Sequence, residues 1–378
     1  MKKSKNRWMK PKSMTNSTNN SLYIHIPFCE HICPYCDFTK LFYFSKFSKP
    51  YLEALFKEID SYHLKKMETI YIGGGTPTSL SDIEFESLLK KVSNLLKNGG
   101  EFTCEANVEN LTSQKLSLMA HYGVNRISIG IQSTHDERLS QIGRFHTFEK
   151  AREVIKKARD AGFKNINVDL MYGFPGQTLD EVKDDVNNIL SLKTDHISIY
   201  SLIVSPGTLF FNKNIKEQNQ DDSRLFYDTI LSLMRDAGYE RYEISNFSKP
   251  GYESRHNLVY WHNQEYYGVG LGASGYVNGV RYKNTPNLDN YLKGNYVLER
   301  EKVDQKLLHE YFLMTHLRLK EGFLLKDYQD LFGEDFHKKF HDYISELVNQ
   351  KLAVIDDKKF ALTDDGLMIM DSLLLRFF

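Results

Sequence analysis

The stretch that decides the fold reads Leu22-Tyr-Ile-His-Ile26, a short alternating segment, and then Pro27-Phe-Cys29-Glu-His-Ile-Cys33-Pro-Tyr-Cys36. Three cysteines with the spacing Cys-x3-Cys-x2-Cys thus follow a β-like segment directly. Three thiolates can hold three irons of a [4Fe–4S] cluster. The fourth iron then has no protein ligand nearby in the sequence and is free to bind a substrate or a cofactor. The spacing therefore indicates a site that binds a substrate or a cofactor rather than a purely structural site.

From Leu22 to Leu202 the chain alternates between short apolar segments and helical patterns. Repeated β–α units predict a parallel sheet with right-handed crossovers. Because a complete barrel has eight units and this pattern has six, we predict an α/β fold with a partial (β/α)6 barrel. The predicted strands are Leu22–Ile26, Thr69–Ile72, Phe102–Ala106, Arg126–Ile131, Asn165–Met171 and His196–Leu202, and the predicted helices are Tyr51–Tyr62, Asp82–Leu96, Thr112–His121, Phe148–Ala161 and Leu179–Leu192.

The predicted strands alternate between apolar and polar side chains. On the fourth strand Ile127, Ile129 and Ile131 share one face, and Ser128 and Gln132 share the other. A parallel sheet that is covered on both faces normally reads as a continuous apolar run. The polar face therefore predicts a lumen that holds a polar cofactor. A half-solvated antiparallel sheet is the alternative, and the regular helices between the strands disfavour it.

Two other interpretations of the cysteines have to be weighed. One is a zinc site of the three cysteines with His25 or His31, and the other is a redox-active thiol pair. Zinc sites usually combine one Cys-x2-Cys pair with a distant second pair, which this chain does not have. Cys104 is the only other cysteine, and its position in the alternation puts it opposite Glu105, on the face that packs against helices. We interpret Cys104 as a buried apolar residue.

Further candidate residues lie at the ends of the second to fifth predicted strands. The loop Gly73–Thr76 permits close backbone approach, and free N–H and C=O groups there would bind an ammonium or a carboxylate. Glu105, Gln132 and Asp169 lie on the polar face, and Arg144 is a fork-like donor for a carboxylate. Because active sites of α/β barrels collect at the carboxyl ends of the strands, we expect these groups to share one site with the cysteines.

The composition limits the compartment and the partners. Lys+Arg and Asp+Glu are both 49, so the net charge does not favour a nucleic acid partner. No apolar run reaches the length of a transmembrane helix, and residues 1–20 lack the apolar core of a signal peptide. We predict a disordered tail there, with Met1 or Met14 as the start. The chain has only four cysteines, which is too few for a disulfide scaffold in a protein of this size, so a reducing cytoplasm is the predicted compartment.

The regular alternation ends after Leu202. The last part of the chain reads as helices, a hairpin formed by Ala353–Ile355 and Phe360–Thr363, and a final helix, which resembles a winged-helix unit. No basic recognition helix is apparent, so a docking or lid role is favoured over DNA binding. The predicted division is a tail over 1–20, the barrel over 21–245, a loop-rich extension over 246–300, and a mainly helical domain over 301–378.

Together these motifs resemble the radical SAM (S-adenosylmethionine) superfamily and, more narrowly, its coproporphyrinogen dehydrogenase-like group with the HemW-type haem chaperone branch. The resemblance extends from about Leu22 to the C-terminus. The matching blocks are Tyr23–Cys36, Gly73–Thr78, Glu105–Asn107, Asn125–Gln132, Asn167–Gln177, His256–Trp261 and Gly268–Gly275.

The resemblance implies a set of cofactors and ligands. Cys29, Cys33 and Cys36 would hold a [4Fe–4S] cluster, and SAM would bind its open iron. Glu105 and the glycine backbone suit an ammonium or a ribose, Gln132 and Asp169 suit ribose hydroxyls, and Arg144 suits a carboxylate. Positions that match SAM contacts of the family are Tyr23, Tyr35, Gly74, Gly75, Thr76, Glu105, Gln132, Arg144 and Asp169.

One residue separates the two branches of the group. Coproporphyrinogen dehydrogenases carry a further cysteine two residues after the third, where this chain has Phe38. The resemblance therefore implies a HemW-type chaperone that binds haem and passes it to acceptor proteins. The alternative is an oxygen-independent coproporphyrinogen III oxidase, so whether the chain is an enzyme stays open at this point.

Haem needs an axial ligand and an apolar slot. His256, with Tyr260 and Trp261, supplies these residue types in the His-Asn-x-x-Tyr-Trp motif of the HemW branch, so His256 is the candidate haem ligand. The alternative is that Asn257 and Trp261 anchor a loop against the barrel mouth. Covalent attachment of haem is not indicated, because the chain has no Cys-x-x-Cys-His sequence.

Overall fold

The computed structural model describes residues 20–378, so all but the last position of the predicted N-terminal tail lies outside the described residues. Its first part contains every predicted β–α unit. The elements are β1 Ser21–Ile26, β2 Phe28–Cys29, β3 Leu41–Phe42, α1 Ser45–Ser61, β4 Met67–Gly74, a 3-10 turn Pro77–Ser79, α2 Asp82–Ser93, β5 Leu96–Asn107, α3 Ser113–His121, β6 Arg126–Gln132, α4 Asp136–Gln141, α5 Phe148–Asp160, β7 Asn165–Tyr172, α6 Leu179–Ser191 and β8 His196–Ser201.

The predicted partial barrel is confirmed. Strands β1, β4, β5, β6, β7 and β8 are neighbours in this order, and every pair is parallel. Each connection between them carries at least one helix. The carboxyl ends of all six strands therefore meet at one edge, which is where the loops that bear the candidate residues are found.

The prediction of a loop-rich extension over 246–300 is corrected, because short strands and helices fill most of this segment. Strands of two to six residues are too short to show periodicity among many Tyr, Gly and Asn residues. The elements over 202–303 are α7 Leu209–Asn212, α8 Gln220–Asp236, β9 Glu240–Arg241, β10 Asn246–Ser248, α9 Arg255–Trp261, β11 Tyr267–Val269, β12 Ser274–Val277, β13 Val280–Asn284, α10 Leu288–Leu292 and β14 Val297–Lys302.

Three of these strands extend the barrel sheet at its edges. Strand β11 pairs with β1 in parallel, and β10 pairs with β8 in antiparallel orientation and carries β9. The sheet thus has nine strands in the order β11-β1-β4-β5-β6-β7-β8-β10-β9. Strands β12, β13 and β14 form a separate antiparallel sheet.

The alternation of side chains divides the barrel as predicted. Ile127, Ile129 and Ile131 are fully buried in the core between sheet and helices. Cys104 is fully buried in the same core, as predicted. Ser128 points into the lumen with the other polar side chains.

Local sequence signals set where two of the barrel helices begin. Helix α2 starts with a capping box in which Ser81 accepts from the Glu84 N–H and the Glu84 side chain accepts from the Ser81 N–H. Thr178 and Glu181 form the same arrangement before α6. These reciprocal bonds satisfy N–H groups that a helix start leaves without an intrahelical acceptor.

The C-terminal part has its own apolar core, built around Phe312, Tyr328, Phe336 and Phe360. The predicted hairpin is present and gains a third strand, in the order β15-β17-β16. Among residues 20–378 no helix is both long and apolar enough to cross a membrane. The elements are α11 Gln305–His316, β15 Phe323–Leu324, α12 Leu325–Phe332, α13 Phe336–Lys339, α14 His341–Asn349, β16 Ala353–Ile355, β17 Lys359–Leu362, α15 Asp364–Met368 and α16 Met370–Leu374.

Candidate active site

A cavity of about 380 Å³ occupies the barrel lumen and opens at the carboxyl ends of the strands. It brings together eleven of the thirteen candidate residues; Tyr23 and His256 do not line it. The eleven are Cys29, Cys33, Tyr35, Cys36, Gly74, Gly75, Thr76, Glu105, Gln132, Arg144 and Asp169.

The three cysteines lie on one wall of this cavity. Cys29 ends β2, and a turn closed by the Cys36 N–H and the Cys33 carbonyl (3.2 Å) carries the other two. The Cys29 sulfur accepts from the Thr76 hydroxyl at 3.7 Å. Burial raises the pKa of the Cys29 thiol to about 11. A metal-bound cysteine must lose its proton, so a metal that favours the thiolate has to offset this burial.

The positions of the three thiols are compatible with a cluster. Within residues 20–378 no three or more His, Cys, Asp and Glu side chains are arranged as a site for a single metal ion. In a [4Fe–4S] cluster each thiolate binds a different iron, so the sulfurs need not converge on one point. The donor set on the cavity wall is therefore compatible with a cluster.

The glycine loop is packed more tightly than the sequence indicated. A Cβ on Gly74 would lie 2.5 Å from the His25 ring, and a Cβ on Gly75 would lie 2.8 Å from the Phe28 carbonyl oxygen. The N–H groups of Gly74, Gly75 and Thr76 already donate to protein acceptors at 3.0, 2.8 and 2.8 Å. The expectation that these N–H groups are free to bind a ligand is therefore wrong.

Two carboxyl groups line the lumen wall. Glu105 accepts from the Tyr71 hydroxyl (2.7 Å) and from the Gly74 N–H (3.0 Å), and Asp169 accepts from the Asn167 amide (2.7 Å). Burial raises the pKa of Glu105 to about 7, with a smaller contribution from Asp169. Burial also raises the pKa of Asp169. Both groups can therefore hold a proton more readily than exposed carboxyls.

Gln132 and Arg144 keep polar atoms available at the cavity. Gln132 has a left-handed backbone (φ 76°) at an irregularity of β6, and its carboxamide has no hydrogen-bond partner among the described residues. The Arg144 Nε is buried without a hydrogen-bond partner there, while its terminal nitrogen lies 3.9 Å from Glu109. Unmet polar atoms at a cavity are typical of a ligand site.

Tyr23 lies outside the main cavity. Its hydroxyl is hydrogen-bonded to the His25 Nδ1 at 2.9 Å, and its side chain lines a second cavity of about 310 Å³ together with Tyr260, Tyr266 and Lys283. Phe38 lines both cavities and so lies at their boundary.

The structure contradicts His256 as the haem ligand. The side chain is fully buried; its Nδ1 is 2.7 Å from the Thr69 hydroxyl and its Nε2 is 2.8 Å from the Tyr260 hydroxyl. Neither ring nitrogen is available to an iron. Helix α9 lies at the amino end of β4 and β5, so the motif does not anchor a loop at the barrel mouth either. The prediction for His256 was wrong because local sequence patterns do not show where α9 packs relative to the barrel.

Arg126, Asn257 and Tyr71 also line the cavity and were missed. Arg126 has the same position in the strand alternation as Ser128, so that signal could have found it. Asn257 could not be found in this way, because it reaches the lumen from a helix outside the β–α repeat.

Comparison with known proteins now identifies the family. The model of the radical SAM superfamily matches residues 23–189, and that of the HemN C-terminal domain matches residues 304–369. The solved structure of coproporphyrinogen III oxidase (HemN) from Escherichia coli, a radical SAM enzyme, matches with a TM-score of 0.82 and 21% identity, over 94% of this chain and 89% of that chain. At this identity the likeness shows the fold alone.

Two relatives are much more similar in sequence. The heme chaperone HemW of Lactococcus lactis subsp. lactis (strain IL1403) is 40% identical over 367 residues, which cover 95% of this chain and 97% of the relative. The heme chaperone HemW of Bacillus subtilis (strain 168) is 38% identical over 365 residues, covering 92% and 96%. With this identity over nearly the whole of each protein, the chain belongs to the HemW family of the radical SAM superfamily.

Proposed function

We propose that this protein is a haem chaperone of the HemW type that binds haem and transfers it to acceptor proteins in the cytoplasm, with a [4Fe–4S] cluster and SAM as cofactors. The HemW relatives support the chaperone function, and the cavity supports the cofactor set. Respiratory haem enzymes are the class of acceptor that we propose.

Within this proposal, Cys29, Cys33 and Cys36 hold the cluster. When bound, such a cluster would supply one-electron chemistry. Glu105 and Asp169 would accept hydrogen bonds from the amine and hydroxyl groups of SAM, and Gln132 would contribute its free carboxamide.

The identity of residue 38 is the single observation that best supports the chaperone function. It stands where the coproporphyrinogen dehydrogenases that this chain resembles have a cysteine, and its ring is 64% exposed at the rim of the cavity. Ile203 lines the same cavity and is 67% exposed, and the exposed Phe145 ring packs 4.4 Å from His31. Exposed apolar groups around a cavity mark a binding surface. Haem is a flat, mostly apolar ligand that such a rim suits.

The test compares haem retention with porphyrin turnover. Anaerobically reconstituted protein is mixed with SAM and reductant, and either with haem or with coproporphyrinogen III. We expect stable haem retention through gel filtration and no catalytic formation of protoporphyrinogen. Catalytic turnover of coproporphyrinogen III would instead establish the oxidase alternative.

Two matched pairs of variants sharpen this test. Cys33→Ser should lose cluster iron, whereas Cys104→Ala, which changes a core cysteine, should keep it. Ile203→Ser should weaken haem retention, whereas Ile83→Ser, an exposed isoleucine on α2, should not. Equal haem retention by the two isoleucine variants would contradict haem binding at the rim. Iron-free protein with stoichiometric zinc would contradict the whole proposal.

A further inference from the structure

Asp185 on helix α6 is a buried carboxyl group that binds the segment directly after β6. The residue is 1% exposed and does not line the lumen cavity. Its Oδ1 accepts from the Thr134 N–H (2.5 Å), the Thr134 hydroxyl (2.8 Å) and the Ser133 hydroxyl (3.1 Å). Both of these residues are buried as well. One carboxyl oxygen thus holds three donors from two consecutive residues, and hydrogen bonds to a carboxylate are stronger than those between neutral groups.

The same carboxyl group also reaches the segment after β7. Its Oδ2 accepts from the Gln177 amide at 3.4 Å. The Gln177 Oε1 in turn accepts from the N–H groups of Gly173 (2.7 Å) and Phe174 (3.2 Å), which directly follow β7. Asp185 therefore ties together the carboxyl ends of two neighbouring barrel strands, and Gln177 is the link to the second one.

Gln132 directly precedes the residues that Asp185 holds. Its backbone is left-handed (φ 76°), and the register of β6 against β7 shifts between Gly130 and Gln132. Such a conformation is costly for a residue other than glycine, and it persists only where the surrounding structure enforces it. The bonds from Ser133 and Thr134 to Asp185 supply that constraint, because they fix the two residues that follow Gln132.

The held backbone determines where the Gln132 carboxamide lies. A Cβ on Gly130 would lie 2.9 Å from the Gln132 amide nitrogen and 3.3 Å from an Arg144 guanidinium nitrogen. Gly130 thus leaves the space in which these two polar groups lie close together at the cavity. A change of φ at Gln132 would redirect its Cα–Cβ bond, so the carboxamide keeps this place only while the backbone is held.

We propose that Asp185 is a positioning residue for cofactor binding, which holds Gln132 in its left-handed conformation and so places the carboxamide at the cavity. The ligand of that carboxamide, SAM, rests on the proposed function. Asp185 itself lies outside the cavity and outside the SAM-contact positions that the family resemblance implies. A carboxylate suits this position because its oxygens only accept, and all four groups that it binds here are donors.

The test is a double-mutant cycle in SAM affinity between Asp185 and Gln132. The reconstituted proteins are the wild type, Asp185→Asn, Gln132→Ala and the double variant. Asp185→Asn replaces one acceptor oxygen by a donor group and leaves at least one buried donor without its acceptor. We expect it to weaken SAM binding by roughly tenfold in the wild-type background. In the Gln132→Ala background it should leave the affinity unchanged, because the group that it positions is absent.

Asp184→Asn is the matched control, because Asp184 is the exposed neighbour of Asp185 on the same helix. It removes the same charge and should bind SAM as the wild type does. If Asp185→Asn does not fold, Thr134→Val takes its place in the cycle. This variant deletes one of the three donors to the Asp185 Oδ1 and should show the same coupling to Gln132.

The cycle separates positioning from structural support alone. Either role lowers the unfolding temperature of Asp185→Asn, because buried donors lose an acceptor. Only positioning makes the loss of SAM affinity depend on Gln132. Equal weakening of SAM binding in both backgrounds would overturn the proposal, and so would a lower unfolding temperature with the SAM affinity unchanged.

Amide hydrogen exchange without SAM gives a second readout that does not depend on the cofactor. Asp185→Asn should speed exchange over residues 132–135 and leave the glycine loop over 73–76 unchanged. Unchanged exchange over 132–135 would overturn the proposal. If the wild type binds no SAM, the proposed cofactor is wrong, and hydrogen exchange then decides whether Asp185 holds Gln132.

Discussion

At the scale of single residues, Gln132 joins two features that rarely occur together. Its backbone is left-handed at φ 76°, and its carboxamide is free at the cavity. A residue other than glycine in this region is strained, and such strain clusters at ligand sites. The alternation of polar and apolar side chains selected Gln132 as a candidate, but it could not reveal the strain.

The strain at Gln132 leads to a prediction about two substitutions. Both Gln132→Gly and Gln132→Ala should weaken SAM binding, because both remove the carboxamide. Gln132→Gly should be more stable than Gln132→Ala by about 1 kcal/mol, because glycine accepts a positive φ without strain. Urea unfolding and SAM titration measure the two effects. An alanine variant as stable as the glycine variant would show that the backbone strain is negligible.

At the scale of elements, a buried carboxyl group joins helix α1 to the extension. Glu58 on α1 accepts from the Gly270 N–H (2.8 Å), the Asn284 amide (2.7 Å) and the Tyr291 hydroxyl (2.5 Å). Burial raises the pKa of Glu58 to about 7. No local pattern predicts this cluster, because its members are more than two hundred residues from Glu58 in the sequence.

The raised pKa of Glu58 predicts a pH dependence of stability. Folded protein keeps a proton on Glu58 that the unfolded chain loses above about pH 4.5, so the stability from this group falls as the pH rises through 7. The difference in free energy of unfolding between wild type and Glu58→Gln should therefore shrink by about 3 kcal/mol between pH 4.5 and 8. Denaturant unfolding across this range measures it.

Glu53→Gln is the matched control for that series, because Glu53 lies exposed on the same helix. Its stability should follow the wild type at every pH. Parallel pH profiles for wild type and Glu58→Gln would rule out the proposed titration.

At the scale of the whole molecule, ion pairs connect the C-terminal part to the barrel. The buried Arg241 on β9 donates to Asp364 (2.5 Å) and to the Tyr227 hydroxyl (2.8 Å). Next to it, Arg224 on α8 pairs with Asp365, and both of these side chains are exposed. We keep the division into a barrel over 21–245, an extension over 246–300 and a C-terminal domain over 301–378 as a proposal.

The two ion pairs predict unequal effects of two adjacent substitutions. Asp364→Asn should lower the free energy of unfolding by about 1–3 kcal/mol, because it leaves the buried Arg241 guanidinium without its anion. Asp365→Asn should lower the free energy of unfolding by only about 0–1 kcal/mol, because an exposed ion pair contributes little to stability. Both residues open helix α15, so their effects on the helix start are similar. Equal losses in urea unfolding would show that the Arg241 pair is not important for docking.

The sequence by itself determined the six parallel strands, the polar lumen face and the cysteine-bearing wall, because these follow from local periodicity and from motifs that are contiguous in the chain. Eleven of the thirteen candidate residues chosen from the sequence line one cavity, because the carboxyl ends of parallel strands meet at one edge. Only the tertiary structure decided that His256 is held between Thr69 and Tyr260, and that Asn257 lines the lumen from a helix outside the β–α repeat. These outcomes depend on where α9 packs, and contacts between segments distant in sequence leave no trace in local patterns.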